Sequence, residues 1–170
     1  QEKASVHMGK YYGMYEVYYP LEEKPLISVI TSKRKKIESL LAATAYDSLE
    51  VVEYGEQETT AAIREAAGRA KGGYLIFLPE GTGVDREDWL TVMAANAVRE
   101  KIGIVGPKLL GENGHVLSAG MAIGLRATAG SLFVGNDRDS VGYFSRTIIQ
   151  QEIGAVAFAG MMTEKPLYEE

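Results

Sequence analysis

Lys71-Gly72-Gly73-Tyr74-Leu75-Ile76-Phe77-Leu78 reads as the close of one element and the whole of the next. The five residues from Tyr74 are apolar without a break. That run is too short for a helix and is typical of a strand buried on both faces. The glycine pair ahead of it ends a helical pattern in which Ile63, Ala66, Ala67 and Ala70 share one face. Thr59-Thr60 opens that pattern with hydroxyls able to cap free N–H groups.

The same grammar extends in both directions. Upstream, Leu26-Ile27-Ser28-Val29-Ile30 is a buried strand. After it Lys33-Arg34-Lys35-Lys36 leads a helix carrying Ile37, Leu40, Leu41 and Thr44, and Leu49–Val52 is a further strand. Downstream, Asp85 is placed to cap a helix with Glu87 and Asp88 in its first turn and a stripe of Trp89, Leu90, Met93, Ala97 and Val98. Ile102–Gly106 is the next strand. Strands and helices alternating with short links predict a mostly parallel sheet covered by helices on both faces. Past residue 106 the pattern changes. Asn113-Gly114 signals a type I′ hairpin between Lys108–Leu110 and Val116–Met121, Gly120–Gly135 reads as loop with short strands, and Gly154–Met162 as a strand. At the other end, Tyr11–Tyr19 holds half of the ten tyrosines and reads as an extended arm, with Pro20 and Pro25 bracketing a linker. The expectation is an α/β chain: an arm and linker over residues 1–25, then a domain over 26–170 whose later part is rich in β-hairpins.

Composition removes several classes of function. The chain has 170 residues, 46% hydrophobic and 24% charged, with a net charge of −5. That is an ordinary globular balance with no run long enough to span a membrane. The absence of cysteine excludes disulfide scaffolds, thiol catalysis and thiolate metal sites, and is consistent with a cytoplasmic setting. The acidic balance argues against nucleic acid as a partner. His7 and His115 are too far apart for a zinc-protease motif, and P-loop, dinucleotide and hydrolase-elbow signatures are absent. The chain opens without methionine and closes on Leu167-Tyr168-Glu169-Glu170 in mid-pattern, so it reads as a piece of a longer protein.

Lys71–Leu78, then Asp88-Trp89-Leu90 and Ile102-Gly103-Ile104-Val105-Gly106-Pro107-Lys108-Leu109-Leu110, resemble the inverting family-two glycosyltransferases of GT-A (Rossmann-like) fold. They are similar in particular to a rhamnosyltransferase-like branch that builds cell-surface polysaccharides. The likeness continues through Asn113-Gly114, Ala119-Gly120 and Gly135 to Asp137-Arg138-Asp139 and Gly142-Tyr143-Phe144. Gly13–Pro20 resembles the arm that precedes the domain in that branch.

The resemblance implies a nucleotide-sugar donor site in the first half and a glycan acceptor site in the second. Such a family holds the donor diphosphate through Mg²⁺ or Mn²⁺ bound by a D-x-D after the strand matching Tyr74–Leu78. A hard divalent cation takes carboxylate oxygens, and alternate residues of extended chain can aim two carboxylates at one ion. Here those positions are Pro79-Glu80-Gly81, leaving Glu80 as the single carboxylate and no metal site is expected. The turn after the first strand, Thr31-Ser32-Lys33-Arg34-Lys35-Lys36, is shortened, with Thr31 and Lys33 as remaining donor-side candidates and the basic run a diphosphate attractor or a solvated helix start. Glu53 stands where the family has a base- or ribose-reading aspartate, and the chain then runs almost directly to Thr60. Asp137 and Asp139 match an acceptor-side polar loop, and serines at 118 and 131 stand near positions where the family often has histidine. His115 reads as an exposed hairpin residue. The catalytic base is expected beyond Glu170. The implied function is a glycosyltransferase-like domain with an eroded donor site, little or no activity and no cofactor. The alternatives are an active transferase completed by a C-terminal segment, using Mg²⁺ or Mn²⁺, and an interaction module that docks a partner or a second copy through Tyr11–Tyr19.

Overall fold

Among the residues described, 3–125 and 128–170, the computed structural model has eleven strands and four helices. The strands in chain order are β1 (Ser5–Met8), β2 (Tyr15–Tyr18), β3 (Ile27–Thr31), β4 (Leu49–Glu53), β5 (Tyr74–Phe77), β6 (Ile104–Val105), β7 (Leu109–Leu110), β8 (Val116–Ser118), β9 (Met121–Ile123), β10 (Ala129–Ser131) and β11 (Met162–Glu164). The helices are α1 (Glu38–Ala42), α2 (Thr60–Arg69), α3 (Trp89–Ala97) and α4 (Lys165–Glu169), and a 3₁₀ turn, Arg34–Ile37, leads into α1. The chain divides into two compact units: Leu21–Val105 with Ala159–Glu170, and the segment up to Pro20 with Gly106–Phe158.

The first unit is built on a five-stranded sheet in the order β4-β3-β5-β11-β6. β3 pairs in parallel with β4 and with β5, Val29 lying opposite Val51 on one side and Ile76 on the other. β11 runs antiparallel to both its neighbours, Met162 facing Ile76 and Val105. The α/β class agrees with the sequence, but the sheet is mixed where a mostly parallel one was expected. The strand inserted beside β5 comes from the far end of the chain, and local periodicity carries no sign of which neighbour a strand will take.

Alternation along the strands splits the core in two. Ile27, Val29, Ile76 and Leu78 pack with Ile37, Leu40, Leu90, Met93 and Ala97, while Ile30, Leu75 and Phe77 pack with Ile63, Ala66 and Ala67. Helices therefore cover both faces, with α1 and α3 on one and α2 on the other. The chain steps from β3 out to β4, then back past β3 to β5. Right-handed crossovers place the two connecting helices on opposite faces when the direction of stepping reverses in this way. In open α/β sheets the carboxyl ends of the parallel strands at such a reversal are where ligands bind.

Several element details differ from the sequence reading. The α2 helix begins as expected, with Thr59 Oγ1 accepting from the Ala62 N–H at 3.2 Å. It ends at Ala70 in extended backbone, and neither Gly72 nor Gly73 takes a left-handed φ. Gly72 is required for another reason: a Cβ there would lie 2.6 Å from the Leu26 carbonyl oxygen. The α3 helix starts at Trp89, later than Asp85 implied; Asp88, at its N-cap position, binds Arg86 at 2.8 Å instead of a backbone N–H. Val98 lies past the helix end and is 42% exposed. Trp89 is fixed by its indole N–H, which donates to Thr44 Oγ1 at 3.0 Å. The strand expected over Gly154–Met162 is confined to Met162–Glu164.

The second unit consists of short antiparallel hairpins. The β1 and β2 strands pair with Val6 opposite Val17 and Met8 opposite Tyr15, so the arm is a ribbon rather than a single extended strand. Tyr11 donates its hydroxyl to the Asp139 carbonyl at 3.1 Å. The β7 and β8 strands form the hairpin marked by Asn113-Gly114, with a different turn from the one expected. Gly114 N–H closes onto the Gly111 carbonyl and Gly114 alone takes a positive φ, +78°, so the loop is a three-residue connection ending in a left-handed glycine. The β9 and β10 strands pair from Met121–Ser131 to Ile123–Ala129.

Candidate functional site

Thr31, Lys33, Glu53 and Glu80 come together at the carboxyl end of β3, β4 and β5. Each is positioned by an element that ends there. Thr31 is the last residue of β3, fully buried on the same face as Ile27 and Val29. Its Oγ1 and the neighbouring Ser32 Oγ are buried and have no hydrogen-bond partner in the protein. Glu53 is the last residue of β4, and its carboxylate accepts from the Arg34 backbone N–H at 2.5 Å, tying the start of the 3₁₀ turn to the strand end. Beyond β5, Pro79-Glu80-Gly81-Thr82 form a tight turn. Gly81 has a φ of +77°, a conformation that favours glycine, and Thr82 Oγ1 donates back to the Pro79 carbonyl at 2.6 Å.

Two ammonium groups close this end. Lys33 Nζ donates to Glu56, in the loop after β4, and Lys36 Nζ donates to Glu80, in the turn after β5. The hydrogen bond and the charge of Glu56 raise the pKa of Lys33 above its ordinary value, and the same contact holds the Glu56 carboxyl below its own. Both pairs are roughly half exposed, so the lysines remain within reach of solvent and solutes. Burial, followed by the charges of Glu58 and Glu80, pushes the Tyr54 phenol up, keeping it neutral at this rim.

A different carboxylate holds the opposite end of the strands together. Glu50 Oε1 accepts from Ser28 Oγ at 2.6 Å, from the Lys71 N–H at 2.5 Å and from the Gly72 N–H at 3.2 Å. Burial pushes its pKa up, but these three hydrogen bonds together outweigh burial and leave it below the ordinary glutamate value.

Asp137 and Asp139 lie in the second unit and serve as ties. Asp137 forms a backbone bridge with His115, whose Nδ1 lies 3.1 Å from its carboxylate, so His115 is half-buried rather than a free hairpin residue. Asp139 binds Lys10 at 2.7 Å, and that hydrogen bond with its charge depresses the Asp139 pKa. Tyr143 and Phe144 stand 73% and 75% exposed, edge to face at 4.5 Å, with Phe144 at a left-handed φ of +50°. Among the described residues no three histidine, aspartate or glutamate side chains are grouped so that they could hold a metal ion. No helix among them is long and apolar enough to cross a membrane.

The sequence reading missed Glu56 and the specific role of Lys36. The basic run that holds Lys33 and Lys36 carried a signal. Glu56 had none, because its partner is 23 positions away.

No family model and no solved structure matches the chain. Two curated proteins are similar to it. The uncharacterized protein y4gI of Sinorhizobium fredii is 26% identical over 191 residues, covering 91% of this chain and 21% of that protein. The O-antigen biosynthesis protein RfbC of Myxococcus xanthus is 29% identical over 153 residues, covering 70% of this chain and 12% of that protein. The chain thus spans about a fifth and about an eighth of these relatives. The alignment to y4gI is longer than the chain itself, so that relative carries residues between matched segments that this chain lacks.

Proposed function

We propose that this chain is a GT-A-like, rhamnosyltransferase-type glycosyltransferase domain of a protein that builds cell-surface polysaccharide, with an eroded nucleotide-sugar site and little or no transfer activity of its own. The observation that carries this reading is the grouping of Thr31, Lys33, Glu53 and Glu80 at the strand ends where strand order reverses. Ligands of open α/β sheets bind at that place. The partial relationship to a protein named for O-antigen biosynthesis gives the site its context. Fold alone would not carry activity, so the chemistry of the strand ends decides.

That chemistry does not fit a divalent cation held by protein carboxylates. Pro79 and Gly81 offer no side-chain oxygen, and the one carboxylate between them is engaged by Lys36. Mg²⁺ and Mn²⁺ sites of nucleotide enzymes use one or two free carboxylates plus substrate phosphates. Glu53 is likewise occupied, by a backbone N–H. Of the acceptor-side candidates, Asp139 is paired with Lys10, and Asp137 lies beside His115 Nδ1 at 3.1 Å. Calorimetry with UDP-, TDP- and GDP-sugars in millimolar Mn²⁺, alongside an assay for sugar release, tests the reading. Weak, metal-insensitive binding without turnover is expected. Tight Mn²⁺-dependent binding that is lost in Glu80→Ala or Glu53→Ala would overturn it and make these residues a rebuilt donor site.

A second reading, an interaction module, is favoured by one observation: Val6, Met8 and Tyr15 share one face of the β1–β2 ribbon and are all exposed. Two-stranded ribbons are marginal alone, and apolar faces of this kind mark contact surfaces. Light scattering on wild type and a Met8→Lys, Tyr15→Lys double variant tests self-association through it. An unchanged monomer mass in both would remove a second copy as the partner.

A further inference from the structure

We propose that Lys33 and Lys36 form a metal-independent diphosphate site, in which their ammonium groups exchange Glu56 and Glu80 for the oxygens of a bound diphosphate. The proposal rests on reading this end of the sheet as the donor side, and names what would bind there and how. The first support is geometric. Lys33 is the extended residue just before the 3₁₀ turn and Lys36 lies within it, three residues on. Their carboxylate partners come from two different loops, after β4 and after β5, so the two ammonium groups are held at the ends of both strands that flank β3.

The second support is independent of the lysines. Thr31 Oγ1 and Ser32 Oγ lie directly before them, buried and without a partner in the protein. Buried polar atoms are nearly always satisfied, so these two hydroxyls are hydrogen-bonding groups at the strand end to which the chain supplies no partner. The third is chemical. Each lysine is hydrogen-bonded to one carboxylate across a largely exposed contact, an arrangement worth little in water, and Lys33 also feels the charges of Glu53 and Glu80. A diphosphate carries several acceptor oxygens and more than one negative charge, and can engage both ammonium groups at once. The lysines then supply the positive charge for which a divalent cation would otherwise be needed.

This arrangement makes Glu80 a competitor of the ligand, the opposite of a metal-binding carboxylate. The two mechanisms therefore differ in the sign of one mutation. Calorimetry at low salt uses inorganic pyrophosphate, UDP, TDP and GDP, first in EDTA and then in Mn²⁺, on wild type, Glu80→Gln, Lys36→Gln and the Lys33→Gln, Lys36→Gln pair. Binding should persist in EDTA and weaken as salt is raised. It should fall about fivefold in Lys36→Gln, the factor of a surface ion pair, and further in the pair. Glu80→Gln should bind more tightly than wild type. All three positions are on the rim, and the fluorescence of Trp89, in the same unit, reports whether each variant is folded. A requirement for Mn²⁺, weaker binding by Glu80→Gln, or no anion binding at low salt would each overturn the proposal. If pyrophosphate binds as well as the nucleotides, the lysine site stands and the donor-site reading falls. If nucleotides bind only with Mn²⁺ and only when Glu80 is intact, this end is a donor side built on metal, and both the eroded-site reading and the lysine site fall.

Discussion

Gly72 and Gly73 look alike in the sequence but the structure gives them opposite sensitivities, which makes Gly72→Ala and Gly73→Ala a stringent pair. A Cβ on Gly72 would sit 2.6 Å from the Leu26 carbonyl oxygen, 2.6 Å from Ser28 Oγ and 2.8 Å from Ser28 N. Two of those atoms belong to the backbone at and just before β3, which is paired on both sides and has nowhere to retreat. Forced overpacking of this kind costs about 1–3 kcal/mol. The same displacement breaks the Gly72 N–H bonds to Ser28 Oγ at 2.9 Å and to Glu50 at 3.2 Å. Losing them adds roughly 0.5–1.5 kcal/mol each. The sum, about 2–6 kcal/mol, is a large share of the ~5–15 kcal/mol that holds a typical domain together. A Cβ on Gly73 meets nothing within 4 Å, and its φ lies outside the left-handed region. Alanine there should be neutral or stabilising by about 0.4–1 kcal/mol through the unfolded chain. Urea unfolding followed by the fluorescence of Trp89, the single tryptophan, reads the affected unit specifically. With slopes of about 1–3 kcal/mol/M, the Gly72→Ala midpoint should fall by about 2 M while Gly73→Ala stays within a few tenths. Equal midpoints for the two variants would refute the close-approach argument and return both glycines to the role of helix terminators.

Thr59→Ala should destabilise the same unit by about 1 kcal/mol, and Thr59→Ser should not, since only the hydroxyl accepting from Ala62 N–H is at stake; urea midpoints check this. Glu50 is held below its ordinary pKa of 4.5, so it binds protons less readily folded than unfolded. The stability it contributes is present above about pH 4.5 and is lost as pH falls through the folded value. Wild type should therefore lose more stability than Glu50→Gln between neutral pH and pH 3, measured by the same urea assay. Phe144→Gly should relieve about 1–2 kcal/mol of left-handed strain at a ring that buries little, slowing amide exchange across 140–148. Faster exchange there would mean the aromatic pair stabilises its loop.

The parts of the fold legible in the sequence are those where one face of an element repeats the same demand. β3 and β5 were announced by short apolar runs and α2 by its helical period, because both faces of the central strands and one face of the helix must enter a core. The parts that escaped are those decided by a partner elsewhere in the chain. Nothing near Met162–Glu164 says that it will lie antiparallel between β5 and β6. The late start of α3 follows from Arg86 claiming Asp88, and the hairpin at Asn113-Gly114 gained a third loop residue because Gly114 alone adopts a left-handed φ.

The same distinction explains why the chemistry at the strand ends can vary while the fold remains. The core of the sheet unit is secured many times over: Ile27, Val29, Ile76 and Leu78 fill one face and Ile30, Leu75 and Phe77 the other, whatever stands at the strand ends. The chemistry at those ends is secured once per role, by Thr31, Lys33, Lys36, Glu53, Glu56 and Glu80, all beyond or at the last hydrogen-bonded residue of their strands. Pro79 and Gly81 leave Glu80 as the single carboxylate of this turn without disturbing either packed face of the sheet. Its counter-ion is Lys36, in the 3₁₀ turn that follows β3. The charge at this end is thus balanced from within the chain, and any anion that binds must offer the lysines more than Glu56 and Glu80 already do. For that reason the response to Glu80→Gln, tighter or weaker, separates a lysine-built site from a metal-built one more sharply than loss of binding in a lysine variant, which both mechanisms would predict.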